Sequence, residues 1–229
     1  MTRTEIVFDA VSVEFAGRPA LRDVSVALDQ RRIGVIGSNG SGKSTFARML
    51  NGLVIATTGR VRVHGLDPAS QAKQLRRTVG FIFSNPDAQI VMPTVAEDVA
   101  FSLRGRGLSR GEVDDRVSST LDAYGLTAHA EAPAHTLSGG QKQLLALCAI
   151  LIGEPDLLVA DEPTALLDAS NTKRIGGHLL DEVPQQLVLV THDLRLAARC
   201  DVVLLFEDGR LVEHGEPGGV IERYEREHA

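Results

Sequence analysis

From Ile6 to Phe15, and again from Leu21 to Leu28, apolar and polar residues alternate on either side of Ala16-Gly17-Arg18, which predicts two half-buried strands pairing as an antiparallel layer. Arg60-Val-Arg-Val-His64 alternates in the same way and is expected to return to that layer. Arg32-Ile-Gly-Val-Ile36 is different: a short apolar run, ended by glycine and followed by the helix-like FARMLNGL, predicts strand, glycine loop and helix in succession. Val79 to Phe83 predicts another strand. Leu157 to Ala160 and Leu187 to Val190 are unbroken apolar runs, as expected of central parallel strands covered on both faces.

Between about Thr94 and Gly153 the rhythm becomes helical. Ser109-Arg-Gly-Glu112 has capping-box spacing, in which a serine and a glutamate three residues on satisfy each other's free backbone amides. Val113, Val117, Leu121 and Tyr124 follow at helical intervals until Gly125 stops the run, so this block reads as a helical insertion. Val202 to Phe206, the turn Asp208-Gly209 and Leu211 to Glu213 predict a hairpin, and the tail ERYEREHA a charged, solvated helix or frayed end. No internal repeat is present, and the fold class implied is α/β.

A length of 229 residues suits one sizeable core with an inserted subdomain better than two full domains. The expected organisation is a single domain over 1–229, with a core and β layer at about 1–83 and 154–229 and a helical subdomain at about 84–153. Hydrophobic residues at 43% and charged residues at 24% are those of a self-folding globular chain. A net charge of -6 supplies no field that would draw the protein to a phosphate backbone, so no nucleic-acid partner is expected. Cys148 and Cys200 lie far apart with neither metal-ligand spacing nor a disulfide framework, and read as buried thiols in a reducing compartment. The longest apolar run, Leu144 to Ile152, is roughly half of the ~20 residues that cross a bilayer, and the opening MTRTE reads as no signal peptide. Any service to a membrane would run through partners.

Residues 37 to 44, GSNGSGKS, fit the P-loop pattern Gly-x4-Gly-Lys-Ser in the strand-before, helix-after context that the motif requires. Gly37, Gly40 and Gly42 let the backbone bend with its N–H groups inward, so the amides of Ser38, Asn39, Ser41 and their neighbours form an anion site suited to a polyphosphate. Lys43 would reach the β and γ phosphates, Ser44 would ligate Mg²⁺, and Thr45 would lie near the α phosphate. The implied core is that of a P-loop NTPase, a parallel sheet carrying an N-terminal antiparallel β layer and a helical insertion, with a nucleoside triphosphate and Mg²⁺ as ligands; the loop alone does not separate kinases, GTPases and motor ATPases. Leu157-Leu-Val-Ala-Asp161-Glu162 ends a strand in two carboxylates with separate expected tasks. Asp161 would hold Mg²⁺ through water, and Glu162 would act as general base on the attacking water.

Leu137-Ser-Gly-Gly-Gln141 precedes that acidic strand and narrows the field. Physically, Ser138 and the exposed amides of Gly139 and Gly140 start a helix and make a second anion-binding end. In residues and in position this segment resembles the signature of the ATP-binding-cassette ATPases, and the resemblance extends over almost the whole chain. It implies that Ser138, Gly139, Gly140 and Gln141 meet the γ phosphate held by an opposing subunit, so that two chains, identical or paralogous, pair head to tail. It also implies that Phe15 stacks on adenine, that Ala165-Leu-Leu-Asp168 is the loop communicating between the two sites, and that His192, in Leu-Val-Thr-His-Asp, contacts the γ phosphate and positions water or Glu162. One position departs from the family. Where it carries a glutamine that senses Mg²⁺ and the membrane partner, this chain has Ser84, the positional match, while Gln89 or a bridging water could serve instead.

The stretch SNPDAQIVMPTVAEDVAF is similar to a pattern of the energy-coupling-factor ATPases, which drive bacterial uptake of vitamins and of cobalt or nickel ions. That likeness implies a transmembrane coupling protein and a substrate-binding membrane protein as partners, a peripheral place on the cytoplasmic face of the cell membrane, and Glu97 and Asp98 as acceptors for partner arginines. Acids in the first turn of a helix also favour its dipole, which leaves a purely structural role open for both. The compact C-terminal end resembles the ATPase of biotin-uptake systems. Other importers or exporters of the same family, and its non-transport members, are the alternatives; the latter usually carry coiled coils or two cassettes, neither of which is present.

Overall fold

The computed structural model describes residues 5–228; residues 1–4, with most of the opening MTRTE and its reading as no signal peptide, and Ala229 at the end of the ERYEREHA tail lie outside them. In chain order the first elements are β1 (Ile6–Phe15), β2 (Arg18–Leu28), β3 (Arg32–Gly37), α1 (Lys43–Met49), β4 (Thr58–Val63), α2 (Ala72–Thr78) and β5 (Val79–Ile82). The helical block follows as α3 (Val95–Phe101), α4 (Arg110–Ala123) and α5 (Gly139–Leu151). The chain then returns through β6 (Leu157–Asp161), α6 (Ala169–Gly177), β7 (Gln186–Val190), α7 (Leu194–Ala197), β8 (Val202–Glu207), β9 (Arg210–Gly215) and α8 (Pro217–His228).

Two sheets result. The alternating strands form the antiparallel layer, ordered β2-β1-β4, with Ile6 opposite both Leu28 and Val63. The unbroken apolar strands form the second sheet, ordered β5-β6-β7-β3-β8-β9 and parallel up to β8, against which β9 runs antiparallel as the expected hairpin. Period-two geometry splits these strands between two cores. Ile33, Val35, Leu157, Val159, Val188, Val190, Leu204 and Phe206 face the antiparallel layer and α1, whereas Leu158, Leu187, Leu189, Val203 and Leu205 face the helical block. Both faces are covered, which is why no polar residue interrupts the runs.

Helix starts follow the sequence closely. Ser109 and Glu112 form the expected capping box on α4, Thr94 and Glu97 form one on α3, and Ser138 and Gln141 form one on α5. Cys148 and Cys200 are free and buried, and burial pushes both thiols up to about 12, so neither ionises under ordinary conditions. The short helices α2, α6 and α7 were not foreseen from periodicity, nor was the wide turn over His178–Glu182.

An aromatic stack pins α1 between the two sheets. Phe46 lies 4.5 Å from Phe8 of β1 and 5.2 Å from Phe206 of β8, ring centroid to ring centroid, and all three are fully buried. Phe46→Ala should lower unfolding stability by about 3–5 kcal/mol, the usual cost of emptying an aromatic core position, with the denaturant m-value unchanged. A loss under about 1 kcal/mol in urea titration would show that the stack does not hold α1 in place.

Candidate active site

Strand register assembles the site. In the parallel ladder Val35 of β3 pairs with Val190 of β7, and Val190 pairs with Asp161 of β6, so three strands end in one row. Hydrogen bonds carry the row one step further: Thr191 N–H donates to Val35 O at 3.1 Å and Glu162 N–H to Val190 O at 3.0 Å. Everything emerging from these ends, the glycine loop after β3, the carboxylates of β6 and His192 after β7, therefore meets in one crevice at the carboxyl edge, where ligands of open α/β sheets sit.

The loop is held open by its own backbone. Gly37 and Gly42 have φ of +142° and +103°, and a Cβ on them would lie 2.1 Å from Phe206 O and 2.7 Å from Leu21 Cδ2. Only glycine fits either place. The resulting concavity of about 220 Å³ is lined by Ala20, Asn39, Gly40, Ser41, Gly42, Lys43, Ser44, Thr45 and Glu162. Lys43 Nζ donates to the carbonyl oxygens of Gly37 and Ser38, both at 2.8 Å. Burial pulls this ammonium below its ordinary value against the opposing pull of the Glu162 and Asp161 carboxylates. Ser41 Oγ is only 2% exposed by residue and has no hydrogen-bond partner among the described residues, an orphan that an anion in the loop would satisfy.

At the floor, Ser44 Oγ donates to Asp161 Oδ1 at 2.9 Å, and Arg48 Nη2 stands 3.9 Å from Asp161 Oδ2. Burial raises the Asp161 carboxyl above its usual value, partly offset by the Ser44 hydrogen bond and the charges of Arg48 and Lys43. Hard oxygen donors this close, beside a phosphate-sized cradle, fit Mg²⁺, and Ser44 and Asp161 are the residues that would hold it. Glu162 comes next, with φ +53°, a left-handed conformation that costs a non-glycine residue of order 1 kcal/mol and turns its carboxylate into the crevice. Its Oε2 lies 2.7 Å from His192 Nδ1 and accepts from His192 N–H at 3.3 Å. The expected partners Lys43, Ser44, Asp161, Glu162 and His192 are thus brought together by the fold.

The signature segment is not among the groups lining this concavity. Ser138 caps α5 from an exposed position, and Gln141 completes the box with Oε1 on Ser138 N–H at 2.9 Å while its Nε2 meets His129 Nε2 at 2.9 Å. Gly140 packs on α6, where a Cβ would strike Asn171 Oδ1 at 2.3 Å; Gly139 has open space around it. The glycine loop and the start of α5 therefore lie in separate places.

Three outlying positions complete the picture. Phe15 is 51% exposed at the end of β1, outside the lining that Ala20 of the paired strand enters. Ser84 is exposed after β5 and contributes nothing to the concavity, whereas Gln89 is turned inward: Phe83 N–H donates to its Oε1 at 3.2 Å and its Nε2 donates to Ala146 O at 3.4 Å. Of the two, only Ser84 faces outward. Asp98 departs from expectation as an open acceptor, being 3% exposed with Oδ1 bound by Val91 N–H at 2.8 Å and Met92 N–H at 2.9 Å; the turn before α3 needs an acceptor for those amides. Glu97 remains at the surface in its capping box, beside a groove of about 330 Å³ that includes Met92, Ala100, Phe101 and Arg104. Arg48 was missed; four residues after Ser44 on one helix face, its spacing was the available signal.

Comparisons with known proteins find relatives over most of the chain. The ABC transporter family model matches residues 21–165. The biotin transport ATP-binding protein BioM of Rhizobium etli is 44% identical over 219 residues, covering 96% of this chain and 97% of that protein. The energy-coupling factor transporter ATP-binding protein EcfA1 of Lacticaseibacillus paracasei is 40% identical over 210 residues, 90% of this chain and 76% of that protein. Among solved structures, CbiO1 from Clostridium perfringens, part of the ABC transporter complex CbiONQ, superposes with a TM-score of 0.86 at 28% identity, covering 100% of this chain and 94% of that one.

Because the folded state raises the Asp161 pKa, it binds more protons than the unfolded chain between the two values, and ionisation of Asp161 lowers stability as pH rises through that window. Asp161→Asn, which can still accept from Ser44, should raise Tm of the ligand-free protein at pH 7. The gain should shrink on acidification through the carboxylate range. An unchanged or lower Tm at pH 7 in calorimetry would contradict burial as the dominant effect.

Proposed function

Since this chain belongs to the ABC transporter family and is an ABC ATPase, we propose that it is the ATP-hydrolysing subunit of a bacterial energy-coupling-factor importer, with biotin as the favoured cargo. The observation that carries the reading is the cluster of Lys43, Ser44, Asp161, Glu162 and His192 at the ends of three neighbouring parallel strands. ATP would lie with its phosphates in the loop 37–45, where Lys43 exchanges the Gly37 and Ser38 carbonyls for β and γ oxygens. Mg²⁺, held by Ser44 and Asp161, would neutralise charge on those oxygens when bound. Glu162 takes the proton of the attacking water as general base, a contribution of about 10²–10⁴-fold, while His192 keeps the carboxylate aimed. Phe15, exposed on the β1–β2 corner opposite Arg18, offers a ring for the adenine.

The absence of 138–141 from the concavity supports a composite site, in which Ser138, Gly139, Gly140 and Gln141 of a second chain close over the γ phosphate. No helix among the described residues is long and apolar enough to cross a membrane, which is consistent with a peripheral subunit acting on the cytoplasmic face through membrane partners. Their docking place is the groove beside Glu97, lined by Met92 and the exposed apolar side chain of Phe101, with Ser84 at the start of the segment that leads to it. Biotin is favoured over cobalt or nickel because a relative that this chain covers almost end to end is named for biotin transport.

Glu162→Gln should form a stable dimer with Mg-ATP but not with ADP in size-exclusion chromatography, and its turnover should fall by about 10²–10⁴-fold. A monomer at saturating ATP would refute the composite site. In cells expressing the intact transporter, labelled biotin should accumulate and Glu162→Gln should stop it; accumulation of cobalt or nickel instead would overturn the cargo and leave the importer standing.

A further inference from the structure

The stretch after β5 is joined to α5 by side chains that neither hydrolysis nor membrane docking accounts for. Lys142 Nζ, in the first turn of α5 and next to Gln141, makes an ion pair with Asp87 Oδ1 at 2.7 Å, across 55 residues of sequence. Asp87 sits on the short 3-10 turn Pro86–Ala88, whose start is fixed by Asp87 N–H donating to Asn85 Oδ1 at 3.0 Å and whose Pro86 is buried. One helical turn along the same face of α5, Ala146 O accepts from Gln89. The turn therefore grips α5 at positions i and i+4.

A lysine in the first turn of a helix is electrostatically disfavoured, and α5 carries no acid there to compensate. Asp87 supplies the missing charge from another segment. Its carboxylate is 63% exposed, so screening makes the pair a minor contributor to global stability. What the pair fixes is geometry, the placing of the turn at 86–88 against the residue that follows the signature.

We propose that Asp87 and Lys142 are positioning residues that make the signature turn 138–141 and the membrane-facing segment 85–92 move as one body when ATP closes the dimer. The proposal rests on the composite-site reading above, in which 138–141 meets the nucleotide of the opposing chain. Closure on ATP orders the start of α5, and the ion pair carries that order to 85–92, whose far end enters the groove beside Glu97. Without the pair, the signature turn still closes but the docking segment no longer follows.

Amide hydrogen exchange on the full Glu162→Gln chain, with and without Mg-ATP, tests this. With ATP, exchange should slow several-fold at 37–45, 138–146 and 85–92. Adding Asp87→Asn should leave the first two protected and return 85–92 to its ATP-free rate. The exchanged pair Asp87→Lys with Lys142→Asp, which also places an acid in the first turn of α5 where it is favoured, should restore the response at 85–92. ATP protection of 85–92 that persists in Asp87→Asn overturns the proposal, as does protection of 138–146 without 85–92 in the parent. No protection of 37–45 or 138–146 in the parent overturns the composite-site reading and this proposal with it, so the two failures are told apart.

Discussion

The chemistry of this chain depends on the hydrogen-bonded row Val35, Val190, Asp161, in which three parallel strands end level. A register slip of one residue would turn the buried set of any of these strands to the opposite core, so the alternation between the two cores fixes the level of the row. Once the row is fixed, the positions of the glycine loop, the two acids and His192 follow from chain connectivity. The strain at Glu162 and the desolvated Asp161 are tolerated because the sheet behind them is buried on both faces.

The same constraint separates two tasks. Residues at the strand ends line the phosphate-sized concavity, whereas the helical block presents the start of α5 and the groove beside Glu97 at places outside it. In the proposed transporter, nucleotide chemistry and membrane docking would communicate through the packing between these parts. The capping boxes on α3 and α5 make both helix starts rigid handles for such communication.

Much of this was legible because it is local. GSNGSGKS shows its loop through glycines, two of which, Gly37 and Gly42, leave no room for a side chain, and the serine cap of α5 is written in LSGGQ itself. The unbroken apolar runs revealed a doubly covered sheet. What the pattern could not show is where polar side chains point. Asp98 and Glu97 look alike in sequence, yet one is buried under two backbone amides and the other stays at the surface. Gln89 looked like an available amide and is turned into the protein. Helix α6 escaped notice because Gly176 and Gly177 interrupt its periodicity; Gly176 is there to make room, since a Cβ would approach Leu196 Cδ2 to 2.6 Å. His129 and Asn171 owe their places beside Gln141 and Gly140 to tertiary packing, which spacing alone does not encode.

In the proposed dimer each ATP is enclosed by the glycine loop of one chain and the signature turn of another. Complementation between two inactive variants tests it most directly: Lys43→Ala removes the phosphate lysine, and Gly139→Asp places a negative charge on the signature turn, where open space lets the fold accept a side chain. Each variant alone should fail to hydrolyse ATP. Mixed in equal amounts, they should recover a substantial fraction of the parent rate, because the mixed dimer contains one site with both Lys43 and Gly139 intact. A mixture as inactive as its components, although ATP still brings the chains together, would show that the two motifs do not complete one another's site.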